Sequence, residues 1–360
     1  MRTFVDDKAD PEISSSSNRL VEQIGALSYS TGNVGDDIQS LAAQAFLPSP
    51  EVFIDREALA DVELSQDTLL IGNAWYLHDP RQWPPNPNVH LVPIAMHIDS
   101  TKEVREAFST ASSTRYLNQM TERFGPIGCR DLATVQFLEG LGLDAYFSGC
   151  VTLTLQENSA LDPLDIVLAV DTPSAVEHEI RRVSPVPVVA VSPVIPTALP
   201  SLARRRYALL LLHLYQRSRV VFTSRLHAAL PSLALGTPVV YTPNRRVYSP
   251  GRFSGLKSFL NVLDDVSSVS ALIASPTPNS GKHIEVRTQI VDRLSEITGR
   301  LPRTMVPSED IFGNLALKGL DDVEALSSSL EDAYRYRSLY ASEPIRRASK
   351  DTLKSIFRIR

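Results

Sequence analysis

Residues 219–246 read RVVFTSRLHAALPSLALGTPVVYTPNRR, and the order of residue types in that stretch decides the fold. Val220–Thr223 is a short β-branched and aromatic run, the composition of a buried strand. Leu226, Ala229, Leu230 and Leu233 then recur at helical spacing, and Gly236 stops the helix. A second apolar run, Pro238–Tyr241, follows at once. Strand, helix and strand in that order build a parallel sheet covered by helices. Pro231 fixes where the helix begins. A proline deep in a helix removes a hydrogen bond and clashes with the preceding turn, so the helix starts only shortly before it or kinks there. Ser224, Arg225 and His227 therefore fall at the turn, where free N–H groups attract anions.

The same alternation extends outward in both directions. Upstream strands are expected at Glu22–Tyr29, Glu51–Ile54, Thr68–Ile71, His90–Ala95, Pro126–Cys129 and Ala145–Phe147. After a linker at QENSALDP (156–163), further strands are expected at Asp165–Val170 and Val186–Val191, with a helix over Leu202–Arg217. This predicts two Rossmann-like α/β halves with a cleft between them, 21–157 and 158–280. A polar, Ser-rich lead-in covers 1–20, and a helical segment with a basic tail covers 281–360. Ligands on such sheets collect beyond the carboxyl ends of the strands.

Two more strand-to-helix corners carry polar residues. In SYSTGNVGDDIQSLAAQAFL (28–47), Asn33 and Gly35 lie in a turn, and Asp36 and Asp37 open a helix whose inner face is Ile38, Leu41, Ala42, Ala45 and Phe46. One aspartate is explained by helix capping; two, with Asn33 and the glycines, suggest that Asp36 or Asp37 faces a ligand. In GPIGCRDLATVQFLEGLGLDAYFSGC (125–150), Arg130 sits at a strand's carboxyl end, where a guanidinium forks onto carboxylate or phosphate. Ser148 and Gly149 form a small-residue turn facing the same cleft. Arg245 and Arg246 offer a further anion contact, while Trp75, Tyr76, His78 and Trp83 suggest an aromatic platform for a sugar. His213, on a leucine-rich helix, reads as structural.

The net charge of −5 leaves no electrostatic footprint for nucleic acid. The two cysteines, Cys129 and Cys150, lack metal-ligand spacing and suit a reducing compartment, and Cys150 has no neighbour to activate it. The beginning of the chain lacks the apolar core of a signal peptide, so a cytoplasmic location is expected. No residue cluster calls for a metal. The tail, with Arg335, Arg337, Arg346, Arg347, Lys350, Lys354, Arg358 and Arg360 around Leu353, Ile356 and Phe357, suits either a solvated helix or contact with an anionic membrane.

Taken in order, TGNVGDDIQSLAAQ, IGNAWYLHDPRQWPPNPNVHLVPIAMHID, GPIGCRD…LEGLGLDAYFSGCVTLTL and TSRLHAALPSLALGTPVVY resemble the polysaccharide pyruvyl transferase family over roughly Glu22 to Gly255. The resemblance implies a fold similar to that of B-type glycosyltransferases. It implies phosphoenolpyruvate as co-substrate, with no cofactor, and a sugar acceptor, typically a hexose in a capsule, exopolysaccharide or cell-wall precursor; contact of the basic tail with a membrane would suit a lipid-linked acceptor. Carried over position by position, the donor site involves an aspartate of the GDD corner, Arg130, Leu226 and His227. Asn33, Gly35, Arg225, Ser148 and Gly149 stand around it. The family often has a lysine after the last strand; here TPNRRVYSPGR puts Arg245 or Arg246 in that place. In the implied chemistry Arg130 and Arg225 clamp the two anionic ends of the donor. His227 is the acid or steadies the leaving phosphate, and Asp36 or Asp37 takes the hydroxyl proton. Two competitors remain: a nucleotide-sugar glycosyltransferase on the same fold, and a sugar-binding protein without activity.

Overall fold

The structure, a computed structural model, describes residues 22–195, 201–244 and 250–306. The lead-in, Arg245, Arg246 and the basic tail lie outside those residues.

The chain opens with β1 (Gln23–Ser28), α1 (Val34–Gln44), β2 (Val52–Asp55), β3 (Thr68–Ile71), β4 (Trp75–Tyr76), β5 (Val89–Val92) and β6 (His97–Ile98). There follow α2 (Lys102–Phe108), α3 (Ala111–Phe124), β7 (Ile127–Cys129), α4 (Leu132–Gly140) and β8 (Ala145–Phe147). A parallel sheet runs β2-β1-β3-β5. The chain just past β5 carries it onto β7: Gly128 N–H donates to Pro93 O at 2.8 Å, Met96 bridges Cys129, and β7 pairs with β8.

The second part holds β9 (Val167–Val170), α5 (Ser174–Val183), β10 (Val188–Val191), α6 (Ser201–Arg217), β11 (Val220–Thr223) and α7 (Leu226–Ala234). It continues with β12 (Val239–Tyr241), β13 (Asn261–Val262), α8 (Val269–Ala274) and α9 (Ile284–Thr298). Its five strands, in the order β10-β9-β11-β12-β13, are all parallel. Each sheet therefore reverses its winding direction once, between β1 and β3 in the first and between β9 and β11 in the second. Such switch points open crevices at the carboxyl ends of the flanking strands.

Local sequence explains the elements. The interior strand β9 (VLAV) is buried along its whole length, as a strand covered on both faces requires. In α5, Val176 and Ile180 face inward while Glu177 and Arg181 pair on the outside at 3.0 Å. α1 differs from the simple amphipathic helix that its spacing predicts: it is buried almost all round, because the first sheet lies on one side and α6 and α7 on the other. It also begins earlier than its aspartates suggest. Asn33 is the cap, its side chain accepting from Gly35 N–H at 3.1 Å, so Asp36 and Asp37 sit in the first turn rather than at the helix start.

One apolar core runs from the first sheet into the second, joining Ile38, Leu41 and Phe46 of α1 to Leu210, Leu211 and Leu214 of α6 and Leu230 of α7. A separate core under α2, α3 and α4 contains Tyr76, Trp83, Phe108 and Tyr116. α9 returns to the first sheet, where Arg293 donates to Tyr146 Oη and to Phe124 O, both at 3.0 Å.

Candidate active site

The kink at the start of α7 follows from Pro231. Proline has no N–H for the carbonyl four residues back, which is His227, and its ring crowds that carbonyl. His227 accordingly leaves helical geometry, with φ −84° and ψ 20°. The imidazole is buried and lies against the first turn of α1. A Cβ added at Gly35 would stand 2.8 Å from His227 Cβ, so a residue without a side chain is required at this contact. Two corners from two sheets thus meet at one point, each at its sheet's switch point. The first amides of α7 have no intrahelical acceptor and lie at the same place.

Asp36 stands behind the histidine, its Oδ1 3.9 Å from His227 Nδ1. The carboxylate already accepts from Thr31 Oγ1 at 3.1 Å, Gln39 Nε2 at 3.2 Å and Arg56 Nη1 at 3.5 Å. Asp37 turns the other way and forms a 2.6 Å ion pair with Arg204 of α6. Burial pushes its carboxyl up to about 6, against the pull of that guanidinium. Asp37 therefore ties α1 to α6, and Asp36 is the aspartate at the site.

Arg130 follows β7 and is fully buried, yet none of its three guanidinium nitrogens has a hydrogen-bond partner among the described residues. Buried guanidinium groups are ordinarily paired, so an unpaired one marks a place prepared for an anion. His227 Nε2 is likewise buried and unpartnered. Burial holds the His227 imidazole well below its ordinary pKa, and the charges of Arg130, Arg252, His97 and Arg56 add to that effect. At neutral pH the empty site contains a neutral His227.

Arg252 and His97 are absent from the residues singled out in the sequence. Arg252 lies in a 3-10 turn after β12, its guanidinium 5.0 Å from the Trp75 ring centre and its Nε buried without a partner. Burial and the nearby Arg130 charge lower its pKa to about 10. His97 begins β6, with Nδ1 2.5 Å from Asp131 Oδ2 and Nε2 buried without a partner. Burial, then the charge of Arg130, push its imidazole down to about 4.

Several expected positions are placed differently. Arg225 donates through Nε to Asp171 at 2.6 Å and its side chain is 42% exposed, whereas the charges of Arg252 and Arg56, with that of Arg130, bear on His227. Ser148 Oγ accepts from Ala95 N–H at 3.1 Å and donates toward Cys129 O at 3.2 Å, a bond within the sheet. Gly149, with φ +66°, leaves room for Val286 of α9 instead of a ligand. Leu226 belongs to the core, and only its backbone can serve the site. Tyr76 and Trp83 are core residues too: Trp83 stacks on Phe108 at 4.1 Å and meets Tyr76 edge-on at 5.2 Å. Trp75 and the exposed His78, with ring centres 5.0 Å apart, remain of the expected platform. Cys129 and Cys150 are buried, and burial raises both thiols, so neither is a ready nucleophile. His213 is buried in α6 against Arg217 at 2.9 Å.

No helix among the described residues is long and apolar enough to cross a membrane. No curated protein matches the chain. Two solved structures are similar at low identity. A protein of uncharacterised function from Klebsiella pneumoniae is 15% identical, covering 68% of this chain and 93% of its own, with a TM-score of 0.43. The wall teichoic acid polymerase TagF is 10% identical, covering 85% and 90%, with a TM-score of 0.32. The family model described as polysaccharide pyruvyl transferase matches residues 33–245, from the Asn33 cap through β7 and the RLH corner. Spanning more than half of the 360 residues, that match makes the chain a member of the polysaccharide pyruvyl transferase family.

Proposed function

We propose that the protein moves the pyruvate unit of phosphoenolpyruvate onto two neighbouring hydroxyls of a sugar, forming a cyclic ketal and releasing phosphate. In this reading the two parallel sheets act as Rossmann-like halves in the manner of B-type glycosyltransferases, with the donor between their carboxyl ends. The observation that carries it is the buried Arg130 guanidinium with all its nitrogens unmet among the described residues, close enough to His227, whose Nε2 is also unmet there, for its charge to depress that imidazole. A small donor with a carboxylate at one end and a phosphate at the other fits two guanidinium groups, that of Arg130 and that of Arg252, whose Nε is buried and unmet among the described residues.

The electrostatics supply a sequence of events. Burial first, and then the same positive charges that will hold the donor, keep His227 neutral. A bound anion offsets those charges, so the donor itself favours the protonated imidazole. The imidazolium then protonates the enol methylene, and the carbon that loses electron density is attacked by the sugar hydroxyl. Asp36 steadies the charged imidazole from behind. Trp75 and His78 offer a face for the sugar.

Phosphate release from phosphoenolpyruvate across a panel of hexosides tests the proposal. Release that depends on a hexoside with adjacent or 1,3-related free hydroxyls supports it. Stabilisation by a nucleoside diphosphate, with none by phosphoenolpyruvate, would replace it with the glycosyltransferase reading.

A further inference from the structure

We propose that His97, oriented by Asp131, is the base that takes the proton from the attacking sugar hydroxyl. This rests on the ketal-forming reading above. The aspartates of the GDD corner are poorly placed to act as that base, because Asp36 is buried and already accepts from Thr31, Asn33, Gln39 and Arg56, and Asp37 is paired to Arg204. His97 is free on the side that matters. It follows Met96, which bridges Cys129 across the sheet, so His97 and Arg130 leave adjoining strands at the same level. β6 pairs with β4 so that His97 stands opposite Trp75, with ring centres 6.2 Å apart, and Arg252 lies over that same indole. The imidazole is therefore between the anion-holding guanidinium of Arg130 and the ring suited to a sugar.

Its hydrogen bonding sets the tautomer. Asp131 Oδ1 accepts from Thr134 N–H and Thr134 Oγ1, both at 3.0 Å, as the cap of α4, and Oδ2 faces His97 Nδ1 at 2.5 Å. The carboxylate stays ionised: burial raises its pKa, but the His97 hydrogen bond and the charge of Arg130 more than reverse this. Nδ1 must then carry the hydrogen, leaving the Nε2 lone pair as a buried acceptor that nothing in the described residues fills. Buried acceptors without a donor are uncommon in folded proteins, and a substrate hydroxyl is the donor that this position lacks.

The step balances. The first hydroxyl oxygen bonds to the central carbon of the enol as its proton moves to His97 Nε2. The double-bond pair takes the proton of the His227 imidazolium and becomes a methyl group. The second hydroxyl closes the ring as the carbon–oxygen bond to phosphate breaks with its electron pair, and its proton leaves on the phosphate. Between turnovers, water returns the proton on His97 to replace the one given by His227.

Asp131→Asn gives a sharp test because the helix cap fixes which way the amide points. With its oxygen held by Thr134, the amide NH2 must face His97 and donate to Nδ1. The hydrogen moves to Nε2 and the acceptor is lost while cap and packing persist. With the full-length protein and the hexoside that wild type turns over fastest, turnover is expected to fall about 10²–10⁴-fold. The dissociation constant for phosphoenolpyruvate should stay within about 3-fold, since the donor contacts are untouched. His97→Gln should show the same split and covers the case in which Asp131→Asn folds poorly. Near-normal turnover in either folded variant overturns the assignment, as does a loss confined to donor binding. Wild type that releases no phosphate with any hexoside overturns the ketal-forming reading as well, which separates the two failures.

Discussion

Replacing Arg130 with methionine should make the empty protein more stable and the donor site useless. The guanidinium is fully buried with no hydrogen-bond partner among the described residues, and its pKa is lowered chiefly by burial. Exchanging a buried ion for an apolar side chain of similar volume is neutral or stabilising, by up to about 4 kcal/mol. At about 2 °C per kcal/mol for a chain of this size, Tm should rise by up to roughly 8 °C. Binding should move the other way. Two charge-assisted hydrogen bonds at about 1.5–3 kcal/mol each correspond to a roughly 10²–10⁴-fold weaker Kd. Phosphoenolpyruvate at about 100 times the wild-type Kd stabilises wild type by about 2.7 kcal/mol and should leave the variant unmoved. Thermal melts of both proteins, with and without the donor, read both effects together. A variant that melts lower, as ordinary core truncations do, yet responds normally to the donor would show Arg130 to be a structural residue and remove the basis of the proposed function.

Further substitutions separate neighbours that look alike in sequence. Arg252→Gln should weaken donor binding about 10–100-fold, the value of one charge-assisted contact, while Arg225→Gln, half-buried and held by Asp171, should change it by less than about 3-fold; calorimetric titration distinguishes them. Gly35→Ala forces a methyl group to within 2.8 Å of His227 Cβ, so it should cost about 1–3 kcal/mol of stability and at least about 10-fold in turnover, measured by denaturant melts and phosphate release. Trp83→Ala should destabilise the fold by about 3–5 kcal/mol through its stack on Phe108, whereas Trp75→Ala should keep the fold and raise the acceptor KM. The depressed imidazoles set the acid side of the stability profile. Because His97 is near 4 when folded and near 6.5 when unfolded, the unfolded chain binds the extra proton in that window, and stability is lost as pH falls through it. His97→Gln should remove up to about 3 kcal/mol of that loss between roughly pH 6.5 and 4, seen in urea melts across the range.

How much of this was legible in the sequence depends on distance along the chain. Strands such as Thr68–Ile71, Ala145–Phe147 and Val220–Thr223 carry their signal within a few residues, and the bounds read from sequence coincide with those observed. Pro231 even locates the backbone break, because its effect falls four residues away, on His227. The aromatic cluster misled for a simple reason: successive residues of a strand point to opposite faces, so Trp75 and Tyr76 cannot serve one platform. Arg252 was invisible because its partners, Trp75 and Arg130, are more than a hundred residues earlier, and the turn that holds it has no periodicity. His97 had a readable signal, a histidine just past the carboxyl end of a strand, in a stretch already noted for its likeness to the family. The pairing with Asp131 that gives it a role exists only once β7 lies beside the end of β5.

The joint between the two sheets bears directly on how the site works. The corner that carries Asn33 and Asp36 does not merely approach the second sheet; it is fastened there. Val34 N–H donates to Pro193 O at 2.9 Å, Ile195 N–H donates to Gly32 O at 2.8 Å, and Asp37 is paired with Arg204. Beneath these bonds the shared apolar core continues from α1 into α6 and α7. Separating the corners would expose that core and leave the bonded groups unmatched, so Asp36, Gly35 and His227 keep their spacing whether or not a donor is present. Charges held in fixed positions need no reorganisation when a reaction develops charge beside them, which is the condition for strong electrostatic catalysis. The cost is a buried Arg130 guanidinium whose nitrogens find no partner among the described residues. The side of Trp75, His78 and Arg252 lacks that buried joint: there the Trp75 ring is half-buried, His78 is exposed and Arg252 lies in a 3-10 turn, which makes it the side from which entry is expected.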